Sequence, residues 1–341
     1  MMLAIGGAAL PQIVTPPQAQ AAGAFAEATG TKNPLVINSE SAILSLKDGQ
    51  EQIDLRLNVT SSNKDMGLII PTPAPATVTL GATTDFSVVG MEMTPTVSAN
   101  DRWFSQPDES ASTEPTGPST AAPTDTTDSV AILDRVQLSV NTTSTIKPSD
   151  TKALTTWLTK FKYELTPDTT DLLARYADMG WSFTAVRVTS SQLLVGDLSP
   201  LRITFESDQL VYPLALAQAA TTPQSVTLYA LADHRETATF LGGSTVAQQV
   251  TWARPTQNPQ LQARGNYLTA ISLKFPIPAS QITDDLKLQQ APNDDETGTT
   301  EVVNQYMSLL GIPIGWLIIG VSAVLILAVL LIALIPRRRW N

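Results

Sequence analysis

Ser41-Ala-Ile-Leu-Ser-Leu-Lys-Asp-Gly-Gln-Glu-Gln-Ile-Asp-Leu-Arg-Leu-Asn-Val-Thr60 decides how the rest of the chain is read. Ile53, Leu55, Leu57 and Val59 recur at every second position after Asp48-Gly49. A period of two puts alternate side chains on one face of a strand, and Asp-Gly supplies the positive φ of a tight hairpin turn. The stretch predicts a β-hairpin with one buried face. Met66-Gly-Leu-Ile-Ile-Pro-Thr-Pro-Ala-Pro75 continues as a short apolar strand stopped by prolines, which cannot donate to a ladder.

From Lys147 the period changes. Leu154, Trp157, Leu158 and Phe161 fall on one helical face, with Ser149 as a cap. Thr166-Pro167-Asp168 opens a second helix with proline in its first turn; Leu172, Leu173, Tyr176 and Met179 form its apolar side and Gly180 ends it. Together these predict an αα-hairpin. Strand patterns resume at 181–188, 201–205, 226–231 and 267–275. Strands, a helix pair and more strands, without βαβ alternation, predict an α+β fold of mainly antiparallel sheet with the αα-hairpin inserted. Residues 105–128 are almost entirely Ser, Thr, Pro, Asp, Glu and Ala, a composition too polar to offset the entropy of ordering, and read as a flexible loop.

Both ends carry a different signal. From Ile314 to Ile335 no side chain is charged, and a helix of that length spans about 33 Å, enough for a hydrocarbon core of ~30 Å. Fifteen of its residues are Leu, Ile or Val, so the reading is one C-terminal transmembrane helix. Arg337, Arg338 and Arg339 follow it, whereas 284–311 holds six acidic residues against Lys287. Positive charge stays in the cytoplasm, so the expected arrangement is a single pass through the bacterial cytoplasmic membrane, with residues 336–341 as a cytoplasmic basic tail and everything before about 311 outside. Trp316 and Trp340 would sit at the two interfaces, completing the anchor with the arginines. Residues 284–311 read as an acidic stalk and 35–283 as the ectodomain. Residues 1–21 end in Ala19-Gln20-Ala21 and resemble a signal peptide, but lack Lys or Arg before the apolar stretch. A wall-sorting reading of the tail requires Leu-Pro-x-Thr-Gly; Leu309-Leu-Gly-Ile-Pro-Ile-Gly315 is not that motif.

Charge and composition narrow the function. Removing the three tail arginines from 21 basic residues leaves 18 against 31 acidic, which argues against nucleic acid as a partner. The expected partners are the lipid bilayer and another envelope component, protein or glycan. Without cysteine there is no disulfide and no thiolate metal or redox site. No cofactor and no metal site is expected.

Three segments carry a resemblance. Trp157-Leu-Thr-Lys-Phe-Lys-Tyr163, Leu172-Leu-Ala-Arg-Tyr-Ala-Asp-Met-Gly-Trp-Ser-Phe-Thr-Ala-Val-Arg-Val188 and Leu198-Ser-Pro-Leu-Arg-Ile-Thr-Phe205 resemble a family of exported bacterial proteins, domain of unknown function 2330. Pro71-Thr-Pro73 and Tyr267-Leu-Thr269 are similar to further stretches of it, so the resemblance covers roughly 35 to 290. It implies export and often a C-terminal anchor, but no activity and no catalytic residues. Members often carry cysteines near the mature N-terminus; Ala22-Gly-Ala-Phe25 stands there in this chain, so any family disulfide is absent.

Catalytic candidates are sparse. His234 is the single histidine, set in Leu231-Ala-Asp-His-Arg-Glu236, where Asp233, Arg235 and Glu236 would tune it as a general base. The plainer reading is a polar cluster at a strand end, and no Gly-x-Ser-x-Gly elbow accompanies it. Asp284, Asp285, Asp294, Asp295 and Glu296 offer oxygen ligands without EF-hand spacing, and read as solvated charge. Trp103-Phe104 and Trp181-Ser-Phe183 read as packing residues. The leading expectation is an anchored extracytoplasmic binding or structural protein of the cell envelope. The alternative is an anchored extracellular hydrolase using His234.

Overall fold

The computed structural model describes residues 23–28, 35–94, 96–102, 139–147, 151–298, 300–306, 308–309 and 312–334. The signal peptide expected at 1–21, the loop at 105–128 and the tail carrying Arg337, Arg338, Arg339 and Trp340 lie outside them, as does Trp103-Phe104. In chain order the elements are β1 (Ala24–Ala28), β2 (Val36–Lys47), β3 (Gln50–Thr60), β4 (Asp65–Thr72), β5 (Thr77–Leu80), α1 (Thr83–Glu92), β6 (Thr96–Arg102), β7 (Ser139–Ile146), α2 (Thr151–Phe161), β8 (Tyr163–Glu164), α3 (Pro167–Asp178), β9 (Ser182–Thr189), β10 (Val195–Asp197) and β11 (Leu201–Glu206). There follow β12 (Leu210–Tyr212), a 3-10 turn η1 (Ala215–Ala219), β13 (Gln224–Ala232), β14 (Glu236–Phe240), β15 (Gln248–Pro255), α4 (Pro259–Gln262), β16 (Tyr267–Phe275), α5 (Pro278–Gln281), β17 (Leu286–Gln290), β18 (Thr300–Tyr306), β19 (Ser308–Leu309), β20 (Ile312–Pro313) and α6 (Ile314–Leu334).

The expected hairpin is β2–β3. Asp48 (φ 52°) and Gly49 (φ 73°) form its turn, and the strands pair from Lys47↔Gln50 to Val36↔Thr60. It sits inside an eight-stranded sheet of order β15-β16-β13-β2-β3-β11-β5, with β10 also on β3. Every pairing there is antiparallel except β2 with β13, which is parallel. A five-stranded sheet, β7-β9-β4-β1-β8, and a three-stranded one, β12-β17-β14, complete the first compact unit, which includes residues 131–298. The fold is thus α+β with mostly antiparallel sheet.

Alternation within strands builds its layers. On β4, Leu68 and Ile70 face a central core, with Phe25 of β1 and Val186 and Val188 of β9, against Leu44, Leu55 and Leu228 of the large sheet. Ile69, Ala24, Ala26, Phe183 and Ala185 point the other way, into a cluster with Trp157 of α2 and Leu172, Leu173 and Tyr176 of α3. On the far face of the large sheet, Ile43, Leu231, Leu268 and Ala270 are covered by Phe86 and Val89 of α1. The order is helix, large sheet, smaller sheets, helices. Pro71 is tolerated in β4 because β1 pairs only as far as Ile69, leaving β9 alone beside it.

Three expectations are corrected. The hairpin does not have one buried face: Asp54, opposite to its apolar set, is fully buried because α1 and neighbouring arginines cover that side, while Glu51, on the same face as Ile53 and Leu55, is buried where it accepts the Val211 N–H at 2.9 Å. The helices stand where the periodicity places them, but an αα-hairpin is not the unit that forms. Their connection includes β8, which pairs with β1; α2 packs on β8 and β7, and α3 on η1. Thr166 caps α3 by accepting from the Thr169 N–H, and Gly180 (φ 80°) ends it.

The acidic stalk expected from 284 is the third. Leu286 and Leu288 are buried and β17 lies between β12 and β14, while Asp285 is fully buried. Acidic density hid the alternation of Leu286 and Leu288, and the aspartates are consumed as acceptors: Asp284 takes the Gly242 N–H at 3.0 Å and Asp285 the Ala215 N–H at 2.8 Å. The folded body therefore runs to Gly298 and takes in β1 as well. The second unit comprises 95–130 and 299–341; in it β6 pairs in parallel with β18, and β19 pairs antiparallel with β20.

Helix α6 has 21 residues of helical backbone, but side chains along it are described only between Ile314 and Leu327. Among the described residues no helix is long and apolar enough to cross a membrane. The span expected at 314–335 therefore stands as a helix and not as a demonstrated crossing.

Candidate functional site

The ends of β2 and β13, the start of β14, strand β17 and the α4–β16 connection surround a cavity of about 640 Å³. Its wall is polar. Asp233, Glu236, Gln262, Asn266, Lys287 and Gln289 contribute to it, interleaved with Leu46, Leu210, Leu231 and Leu288. Several of these groups are already oriented. Asn266 Nδ2 donates to Asp233 Oδ1 at 3.0 Å, Gln262 Nε2 to the Thr256 carbonyl at 2.8 Å, and Lys47 Nζ to the Ala263 carbonyl at 2.9 Å. Fixed donors and acceptors lose little entropy when a ligand arrives.

The backbone of this wall is close-packed. A Cβ on Gly265 would lie 2.3 Å from the Leu231 carbonyl carbon and 2.4 Å from the Ala232 nitrogen. Only glycine lets the α4–β16 turn come this near to the end of β13. Arg264 beside it reaches inward, donating to Asp54 Oδ2 at 2.6 Å and Ser45 Oγ at 3.0 Å. Asp54 also receives Arg202 Nε at 2.7 Å, and Arg202 continues to Asp85 at 2.6 Å. This ion network fixes one end of the cavity to α1.

Glu236 is the most perturbed group at the cavity. Its side chain is 7% exposed. Burial pushes its carboxyl up to about 7; nearby His234 lowers it and Asp294 raises it. A carboxyl in that range exchanges a proton at neutral pH, and perturbed groups of this kind cluster at functional sites.

His234 and Asp233, the two catalytic candidates, separate. Asp233 lines the cavity. His234 turns outward, its side chain half exposed, and Nδ1 meets Asp294 Oδ2 at 2.8 Å. That bond raises the imidazole's pKa and lowers the carboxylate's. Asp294 also accepts the Arg235 N–H at 2.9 Å, so it clips residues 291–296 onto the β13–β14 turn. Among the described residues no hydroxyl lies within hydrogen-bond reach of the His234 ring. Nor does any group of three or more His, Asp or Glu side chains there form a metal site. Sequence reading gives Glu236 only as a neighbour that tunes His234; its burial at the start of β14 comes with the pairing to β17, 54 residues on, which no local pattern shows, and its backbone N–H donates to the Thr269 hydroxyl at 3.0 Å. Trp181 and Phe183 are buried in the cluster beneath α3. Trp316, the described residue of the expected anchor, is exposed at the start of α6.

An α+β head of layered, mostly antiparallel sheets, carrying a polar cavity and a solvent-facing His–Asp pair, is the class these features define. The chain belongs to the family of uncharacterized proteins conserved in bacteria (DUF2330), whose model matches residues 16–289. No curated protein matches it. Among solved structures it is similar to the crystal structure of baculovirus P35, at 7% identity and a TM-score of 0.34, over 74% of this chain and 94% of that one.

Proposed function

We propose that this chain is a membrane-tethered, extracytoplasmic binding protein of the bacterial envelope, whose head takes a polyhydroxylated ligand, a glycan, in the cavity beside Glu236. The polar wall carries the reading. Ligand pockets of ~300–1,000 Å³ are usually mostly apolar with a few polar groups; here amide, carboxylate and ammonium groups make up more than half of the wall. Such a wall offers alternating donors and acceptors to hydroxyls and little to an apolar ligand. The His–Asp pair lacks a hydroxyl nucleophile within reach among the described residues, which favours binding over a hydrolase built on His234.

Tethering rests on α6. Its 21 residues give a helix about 32 Å long at ~1.5 Å per residue, without a charged side chain. Large apolar residues from Ile318 to Leu327 stand exposed along it. The three arginines that follow favour the cytoplasmic side, leaving the head outside.

Two experiments test the reading. Protease added to intact spheroplasts should digest the head while sparing α6 and the arginines; full protection of the head would sink the orientation. The full chain in nanodiscs should bind a subset of envelope-derived saccharides on an array, and Asp233→Ala with Gln262→Ala should lose that binding by about tenfold or more. Absence of saccharide binding, or binding indifferent to both substitutions, overturns the assignment. His234→Ala should leave it intact.

A further inference from the structure

Among the described residues, the apolar cluster beneath α2 and α3 is open on one side. Leu154, Leu158 and Leu165 pack against it while only partly buried, and a cavity of about 280 Å³ lies between the two helices. Ile146, Leu154, Leu158, Leu165, Leu173 and Phe183 form its walls. Exposed Lys147, Thr155, Thr170 and Ala174 complete the lining with half-buried Ala177. Lys152 and Thr155 then line the next depression along the outside of α2. Lys147, Lys152 and Lys160 line these two depressions and no described acidic residue does, although Asp168 and Asp171 lie further along α3. An apolar slot with a locally basic rim is a combination found at neither end of the polar cavity described above.

We propose that this slot binds a single-chain anionic amphiphile of the fatty-acid class, its alkyl chain between α2 and α3 and its carboxylate at Lys147 and Lys152. An apolar cavity of ~150 Å³ holds a benzene ring. The slot is nearly twice that size and accommodates roughly ten to twelve chain carbons on the same scale. Sugars and nucleotides are excluded, since their polar groups would be desolvated against leucine and phenylalanine. Charge complementarity selects the head group: a neutral amphiphile leaves both lysines without a counter-ion, whereas a carboxylate meets them at the rim, where each pair adds modestly to affinity and more to selectivity. The site is independent of the glycan reading and shares none of its residues.

The test uses the full chain, methyl-labelled at leucine, in nanodiscs, titrated with dodecanoate carrying a nitroxide at its chain end. Saturable broadening of the Leu158 and Leu173 methyl signals is expected. Ala174→Trp, at an exposed position whose new ring fills the slot, should weaken it by about twentyfold or more. Lys147→Glu with Lys152→Glu should weaken it by roughly tenfold, and the nitroxide-labelled dodecyl alcohol should bind the parent chain more weakly by a similar factor. Broadening that fails to saturate and persists in Ala174→Trp reports partition into the bilayer and overturns the proposal, as does absence of broadening. Equal binding of acid and alcohol overturns the head-group assignment. Should Ala174→Trp lose its native spectrum, Thr155→Trp, also exposed, provides the same plug.

Discussion

The phenol of Tyr176 on α3 donates a hydrogen bond to Oδ1 of Asp285, 109 residues further on and immediately before β17. Both residues are at most 1% exposed. The same oxygen accepts the Ala215 N–H at 2.8 Å, so one carboxyl joins α3, η1 and the three-stranded sheet. Burial pushes Asp285 up to about 6 from 3.8, and the bonds from Tyr176 and Ala215 hold it lower than burial alone would. Tyr176→Phe removes one of those bonds and should cost about 1–3 kcal/mol, the usual penalty for an under-satisfied buried acceptor. Because Asp285 would then hold its proton to higher pH, the loss should be larger at pH 8 than at pH 5 in denaturant titrations. An equal loss at both values would contradict this.

Glu236 gives the head a pH dependence of definite sign. Its folded pKa of about 7 lies above the ordinary 4.5, so between these values the native state binds more protons than the unfolded one. Stability must fall as pH rises across that window and level off above it. The ceiling is on the order of 3 kcal/mol for a shift of this size. His234, raised by its bond to Asp294, acts in the same direction, since its stabilisation is lost as pH rises through the folded value. Glu236→Gln should raise the melting temperature at pH 8 and flatten the profile between pH 5 and 8. A variant no more stable than the parent at pH 8 would refute the assignment.

Asp54 is fully buried and receives Arg202, Arg264 and the Gln52 amide at 2.8 Å. Replacing it by alanine strands the Arg264 guanidinium, which is 16% exposed. Loss of one partner from a buried ion pair costs about 3–5 kcal/mol. Equilibrium unfolding of Asp54→Ala should show a drop of that size, and one under ~1 kcal/mol would place the network among weak surface pairs.

Gly265→Ala should be among the most damaging one-carbon changes in the molecule. The added Cβ meets backbone atoms of Leu231 and Ala232, which cannot rotate away. Overpacking costs typically 1–3 kcal/mol, and the α4–β16 turn would have to withdraw from the cavity wall. Gly90, where nothing lies within 4 Å, is the matched control; Gly90→Ala within α1 should be neutral or stabilising by up to about 1 kcal/mol. The two melting curves, measured side by side, decide the point.

Elements with a strong period were legible in the sequence. The Asp48-Gly49 hairpin, the Thr166-capped α3 and the strand at 267–275 stand where residue order places them, because turn geometry, capping and two- or 3.6-residue periods are local. The site was legible only in part. Asp233 and His234 drew attention by residue type, but the pairing of His234 with Asp294 spans 60 positions, and the burial of Glu236 comes with the distant β14–β17 pairing.

The sequence by itself determined the α+β class, the family, the acidic charge and an uncharged apolar helix followed by arginines, all properties of neighbouring residues or of composition. Only the tertiary structure decided that Asp54 and Glu51 are interior, that 284–298 belongs to the folded body, and that Asp233 and Glu236 face a shared cavity while His234 faces solvent. Period-two alternation tells which side chains share a face. Whether a second layer covers each face depends on elements far away in sequence: here α1 and the arginines cover the side of Asp54, and the Val211 N–H meets Glu51 on the other.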